Sequence, residues 1–389
     1  MKNIEMIQGV ETPAFVYCLD TLARSKNEIQ DVLNEVGVGN WIAYSYKTNP
    51  LLATALAEMG CTMQVTSLKH LAEVQGFLTK EALTNSFYCS GSMTVDDAKV
   101  VVDSGPYIVV DSVSQLACVE KAAGLVGKNA RVLIRVDAGQ SADNSPFGTS
   151  GMLQGVNIRQ LPEVLSKLYG NLTIVGVHNH FGSQVTSLEA WRRNIECIAA
   201  VLRNIDYPFE ILNLGGGSPI AYDSVNAPSI GRIYSESIFQ SLSAIRDIHP
   251  NIKIVVEPGR YIAGPCGYLV ATATNMHQAD AKRGVNLDAS LFAAFQDRFL
   301  SNLKFQLPVI SPCRSDIEGI DTILRGSSPA SIDYFGVYSG LDEIALGEKV
   351  VFGMAGAYAS SMGSEFSGVS RPAEYLFNGA EMEVLKSGQ

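Results

Sequence analysis

At 389 residues the chain exceeds one ordinary hydrophobic core and predicts two domains. Hydrophobic residues make up 47% and charged residues 17%, a globular balance that excludes a disordered or fibrous class. The 29 basic and 39 acidic residues give a net charge of −10, so no basic face for nucleic acid or anionic lipid is evident, and no apolar run reaches the roughly 20 residues that span a membrane. Met1-Lys2-Asn3-Ile4-Glu5 lacks the layout of a signal peptide, and seven cysteines without a Cys-x-x-Cys pair argue against a disulfide framework or zinc ribbon. A cytoplasmic protein is expected.

In chain order, Ala14–Cys18 reads as a strand. From Trp41 to Val256 one pattern then repeats, a short β-branched or aromatic run followed by an amphipathic stretch. The predicted strands are Trp41–Ser45, Thr62–Val65, Phe87–Ser90, Tyr107–Val110, Arg131–Val136, Thr173–His178, Glu210–Leu214 and Lys253–Val256. Between them Pro50–Met59, Leu68–Leu78, Val95–Asp103, Ser112–Leu125, Leu188–Leu202 and Ser235–Ile248 carry apolar residues at three- and four-residue steps, the helical period. Eight such units match a (β/α)8 TIM-type barrel, with a doubly wound open sheet as the competitor. Beyond Gly264 the rhythm breaks. Gly267–Thr274, Val350–Gly353 and Glu374–Phe377 read as strands without regular helices between them, and Leu307–Ala330, rich in Pro, Ser and Gly, as a loop excursion. The fold class is therefore α/β: a barrel plus a mostly β C-terminal domain that the N-terminal strand joins.

Four motifs fall where predicted strands run out: Lys47 in Tyr44-Ser45-Tyr46-Lys47-Thr48-Asn49-Pro50, His180 in His178-Asn179-His180-Phe181-Gly182-Ser183-Gln184, the run Gly215-Gly216-Gly217, and Glu257 in Glu257-Pro258-Gly259-Arg260. Strand C-termini are where a barrel gathers its chemistry. A lysine there would be partly desolvated and so a better nucleophile. His180 could stack on an aromatic ring, act as acid or base, or join His178 on a metal, although no acidic or cysteine cluster completes a metal set and none is expected. Three glycines expose backbone N–H groups as an anion nest, and they fall on the seventh barrel loop, with Gly259-Arg260 on the eighth, where barrels often bind phosphate. Glu257 closes an apolar strand, so it needs a partner, a cation or one of Arg260 and Arg135. An amine, an imidazole, a phosphate-sized glycine loop and a buried carboxylate together point to pyridoxal 5′-phosphate.

With these motifs the chain resembles the fold type III pyridoxal-phosphate enzymes, specifically the diaminopimelate/ornithine/arginine decarboxylase family, from Thr12-Pro13 through Gly356-Ala357-Tyr358. The form His-x-Gly-Ser-Gln is closest to the diaminopimelate branch. The resemblance implies an alanine-racemase-like barrel over residues 28–265. Residues 1–27 and 266–389 would form a β-rich domain that completes the active site of a partner in a head-to-tail homodimer. It implies that Lys47 carries the cofactor as a Schiff base and that His180 stacks on its ring. Ser183, Gly215, Gly216, Gly217, Gly259, Arg260 and Tyr358 would surround the phosphate, and Glu257 would pair with the ring nitrogen.

The departures bear on substrate. Gln64 and His70 stand where the family has acidic residues, and Pro146 where it has a lysine. The C-terminal signature that supplies a cysteine and an acidic residue to the neighbouring site aligns best with Gly336-Val337-Tyr338-Ser339-Gly340-Leu341-Asp342-Glu343. Tyr338 then replaces the cysteine and Ser339 the acid. Pro312-Cys313-Arg314-Ser315 is the alternative anchor, and the first is preferred because it keeps a short distance to Gly356-Ala357-Tyr358. Either removes the carboxylate for a distal ammonium, so a small-molecule or carrier-linked amino acid with a neutral or acidic distal part is expected, with Ser339 and Asp342 contacting it. The expected activity is decarboxylation of an α-amino acid, with Tyr338 or Cys313 of the partner chain as the acid. A racemase or epimerase using Lys47 and Tyr338, and a non-catalytic cofactor-binding homologue, are the alternatives.

Overall fold

The computed structural model describes the chain except residues 1, 38, 143, 144, 146, 150, 151, 224, 280, 281, 301–304, 313–319, 342, 343 and 389. Strand β1 (Ala14–Cys18) precedes a barrel built from β2 (Trp41–Ser45), β3 (Thr62–Val65), β4 (Phe87–Cys89), β5 (Tyr107–Val110), β6 (Ala130–Asp137), β8 (Leu172–His178), β9 (Ile211–Asn213) and β10 (Lys253–Val256). The two-residue β7 (Val156–Asn157) pairs only with the end of β6. All eight barrel strands run parallel, and β10 pairs with β2 through Val255↔Trp41 and Val256↔Ile42. That seam closes the sheet and rules out the open doubly wound alternative.

Alternation along the strands sorts the side chains into two environments. Outward residues such as Ile42, Tyr44, Met63, Val65, Ile108 and Val132 join the large core that the helices cover. Ala43, Phe87, Val109, Leu133, Ile211 and Val255 form a separate apolar cluster, one layer across the barrel interior. Two residues further along the same strands come Ser45, Cys89, Asp111, Arg135, Asn213 and Glu257. The barrel is thus plugged by an apolar layer with a polar ring above it, at the C-terminal ends of the strands. Hydroxyl caps start several of the covering helices: Ser67 accepts from His70 N, Thr94 and Asp97 form a reciprocal capping box, and Ser187 accepts from Ala190 N.

The second sheet runs in the order β15 (Tyr334–Tyr338), β14 (Asp321–Arg325), β12 (Lys282–Leu287), β11 (Gly267–Ala279), β1, β17 (Ala373–Phe377) and β18 (Met382–Lys386). Strand β16 (Lys349–Phe352) bridges β11 and β13 (Val309–Ser311). The N-terminal strand therefore joins the C-terminal sheet, antiparallel to β11 and parallel to β17. Several elements differ from the sequence expectation. The stretch Leu307–Ala330 contains β13 and β14, because its apolar residues at Thr322–Leu324 pair with β12 and β15 despite the surrounding Pro and Gly. Short helices Leu291–Ala294 and Asp297–Leu300 interrupt the β region, and helices Lys2–Gln8 and Leu19–Val36 lie outside the predicted elements. Among the described residues no helix is long and apolar enough to cross a membrane.

Candidate active site

The polar ring opens into a cavity of 510 Å³ at the barrel mouth. Lys47, His180, Ser183, Gly216, Gly217, Glu257, Gly259, Arg260 and Tyr358 all line it, so residues from the four motifs meet in one place. Lys47 sits in the single 3₁₀ turn Tyr46–Thr48 that follows β2, which the Pro50 turn ends. Lys47 is exposed at the mouth of the cavity it lines. The seam fixes that turn. Ser45 N donates to Pro258 O at 3.2 Å, Ser45 Oγ donates to Glu257 O at 3.0 Å, and a Cβ on Gly259 would collide with Thr48 Oγ1.

Glu257 is only 5% exposed and has neither arginine as its partner. His178 Nε2 lies 3.3 Å from Oε2 and Asn213 Nδ2 donates to Oε1 at 2.8 Å. Burial alone would raise its pKa, but His178 and the Asn213 hydrogen bond outweigh it and hold the carboxyl below its ordinary value. The two histidines do not converge on a common point: His178 turns down to Glu257, whereas His180 Nδ1 accepts from Gly216 N at 3.2 Å. That acceptor role places the proton of His180 on Nε2. Burial, with Arg135 and Lys47 nearby, pushes the His180 pKa down to about 3, so the ring is neutral at physiological pH.

The glycine loop is a backbone surface. Gly215 and Gly217 adopt φ of +64° and +118°, and a Cβ on Gly216 would lie 2.6 Å from the Glu257 carbonyl oxygen. Arg260 was expected at the phosphate, yet its NH1 donates to Asp297 Oδ2 at 2.5 Å and to the Tyr222 hydroxyl at 2.8 Å. Burial opposes its charge, but Tyr222 and Asp297 more than offset this and raise its pKa. The Tyr358 ring sits 4.8 Å from its guanidinium carbon. Arg135 is buried as well and, among the described residues, donates to neutral acceptors, Gln154 Oε1 at 2.9 Å and His180 O at 3.3 Å.

The C-terminal candidates do not join this cavity. Tyr338 is 1% exposed within its own chain's core, and its hydroxyl donates to Leu307 O at 2.9 Å. Within its own chain the phenol is thus committed to that carbonyl. Strand alternation explains the burial, since exposed Val337 and Ser339 flank it. Ser339 is solvent-facing at the end of β15, and Cys313, Asp342 and Pro146 lie outside the described residues. Sequence reading missed Asp297, which no motif marks, and Asn213, whose signal was its place directly before Leu214 and the three glycines.

The cavity fits pyridoxal phosphate on its own chemistry. It offers an amine, a glycine loop with no side chains of its own, a neutral imidazole, and a carboxylate kept ionised at depth. Residues 20–264 match the family described as pyridoxal-dependent decarboxylase, pyridoxal binding domain. The chain is 26% identical over 402 residues to a diaminopimelate decarboxylase of Aquifex aeolicus, covering 98% of this chain and 90% of the relative. A diaminopimelate decarboxylase of Methanocaldococcus jannaschii is 23% identical, with 96% and 88% covered. Among solved structures, diaminopimelate decarboxylase of Helicobacter pylori complexed with L-lysine superposes with a TM-score of 0.82 at 22% identity, covering 100% of this chain and 96% of that one. A lysine/ornithine decarboxylase of Vibrio vulnificus complexed with putrescine gives 0.79 at 19% identity, with 97% and 98% covered. The family match spans well over half the chain and coincides with the barrel that carries the lysine, the glycine loop and the carboxylate, so this protein belongs to the pyridoxal-dependent decarboxylases of fold type III, enzymes that take an amino acid as substrate.

Proposed function

We propose that this decarboxylase acts on an α-amino acid whose distal end is neutral or acidic, free or carried on a larger conjugate. The supporting observation is that the two buried carboxylates lining the cavity each already face a positive or donating group. Glu257 faces His178 and Asn213, and Asp297 faces Arg260, while Asp111, the third carboxylate of the lining, is only partly buried. Ser339 stands where an acidic residue would meet a distal ammonium, and a buried ammonium without a partner is costly by several kcal/mol.

In this reading Lys47 binds the cofactor covalently and His180 stacks on its ring. Ser183, Gly215, Gly216, Gly217, Gly259, Arg260 and Tyr358 would surround the phosphate. Pyridoxal 5′-phosphate supplies the electron sink for the charge left when CO2 departs. Glu257 keeps the ring nitrogen protonated, and neutral His180 adds no competing charge. Residues 28–265 are the cofactor-binding unit. Residues 1–27 and 266–389 are the unit that meets a second copy in a head-to-tail homodimer, with Tyr338 or Cys313 of that copy as proton donor and its Ser339 and Asp342 at the substrate. The described cysteines are all free, which favours a cytoplasmic protein.

Lys47→Ala should abolish turnover together with the visible absorbance of lysine-bound cofactor. Retained activity would overturn the assignment. A screen of α-amino acids and their conjugates, read by mass loss of CO2, identifies the substrate, and preference for free diamino acids would count against the neutral or acidic distal end. The burial of Tyr338 within its own chain weighs against the racemase reading. Deuterium incorporation at Cα in D2O without mass loss would restore it.

A further inference from the structure

We propose that His178 and Asn213 are positioning residues that hold Glu257 as an anion and tie the ring end of the cofactor site to its phosphate end. This rests on the reading of Glu257 as the partner of the ring nitrogen. A carboxylate as deeply buried as Glu257 would take up a proton unless donors replaced the lost water. Two do so, one on each oxygen: His178 Nε2 at 3.3 Å and Asn213 Nδ2 at 2.8 Å. Each oxygen keeps a further lone pair for a cation.

Asn213 is fully buried, and its other end accepts from Gly215 N at 2.8 Å. That bond fixes the amide orientation, since Oδ1 must face the backbone N–H and Nδ2 the carboxylate. One amide therefore spans the glycine loop and the ring anchor. His178 is 1% exposed, and its Nδ1 is buried with no partner among the described residues. Its hydrogen-bonding commitment is thus to Glu257 alone. A histidine that merely filled the core would be expected to satisfy both nitrogens. Loss of the His178 donor should disturb the ring end only, whereas loss of Asn213 should disturb both ends.

The test uses the full-length apo protein, titrated with pyridoxal 5′-phosphate, with pyridoxal lacking the phosphate, and with inorganic phosphate. His178→Phe should weaken pyridoxal 5′-phosphate and pyridoxal each by tenfold or more and leave inorganic phosphate unchanged. His178→Gln, which can offer an N–H near the same point, should recover part of that loss. Asn213→Asp and Asn213→Ala should weaken all three. In the reloaded enzymes kcat should fall more than KM rises. Wild-type affinities in His178→Phe, or unchanged inorganic phosphate binding in both Asn213 variants, would overturn the proposal. Should His178→Phe not fold, the near-isosteric pair His178→Gln and Asn213→Asp carries the same contrast. A wild-type protein that bound no pyridoxal 5′-phosphate would refute the functional reading instead.

Discussion

Glu257 and Asp297 line one cavity, both almost closed to solvent, yet the first faces an imidazole and an amide while the second faces a guanidinium. Charge at the Asp297 end is spent locally. The pair with Arg260 is close to neutral, so it adds little net charge to draw an anion. At the Glu257 end the donors stabilise a negative charge without cancelling it, which leaves that charge free to act on a bound cation. The contrast separates a carboxylate that builds the site from one that acts on what enters it.

The contrast can be broken most sharply at Glu257. Glu257→Gln keeps shape and hydrogen bonding but removes the charge, and kcat should fall by roughly 10²–10³, the usual scale for one preorganised electrostatic group. Steady-state kinetics on the reloaded variant decide this, and an unchanged kcat would place the ring's partner elsewhere. Asp297→Ala acts on the other end and on stability. It leaves Arg260 buried and uncompensated, so denaturant unfolding of the apo protein should show a loss of about 3–5 kcal/mol. Asp297→Asn should lose less.

The smallest effect concerns the neutral imidazole between the two ends. His180 has a folded pKa of about 3, against roughly 6.5 in an unfolded chain. Between those values the unfolded state binds the extra proton, so this residue's contribution is complete above about pH 6.5 and is lost as pH falls toward the folded value. Thermal melts of His180→Phe should therefore depend less on pH than wild type in that window. Parallel profiles would show that His180 is charged in the folded protein.

All eight barrel strands were legible from β-branched runs at helix-spaced intervals, and the four motifs located the cavity because each lies at a strand end. Less could be read where function depends on which way a side chain faces. Tyr338 was read as standing at the position of the family's cysteine, but strand alternation turns its side chain into its own chain's core. Asp297 belongs to a four-residue helix with no hydrophobic period to announce it, and only the fold brings it to Arg260. Asn213 is one more polar residue at the end of a short strand until its two hydrogen bonds are seen. The polar ring itself was readable in principle, two residues beyond each inward apolar position, but only once closure had fixed which face is inward.

Because β10 closes on β2, the lysine turn and the carboxylate beneath it come from opposite ends of the barrel sequence. During synthesis Lys47 emerges long before Glu257, and the N-terminal strands have no seam to lean on until the last barrel strand arrives. A site that draws on both Lys47 and Glu257 therefore exists only once the last barrel strand has docked on the first.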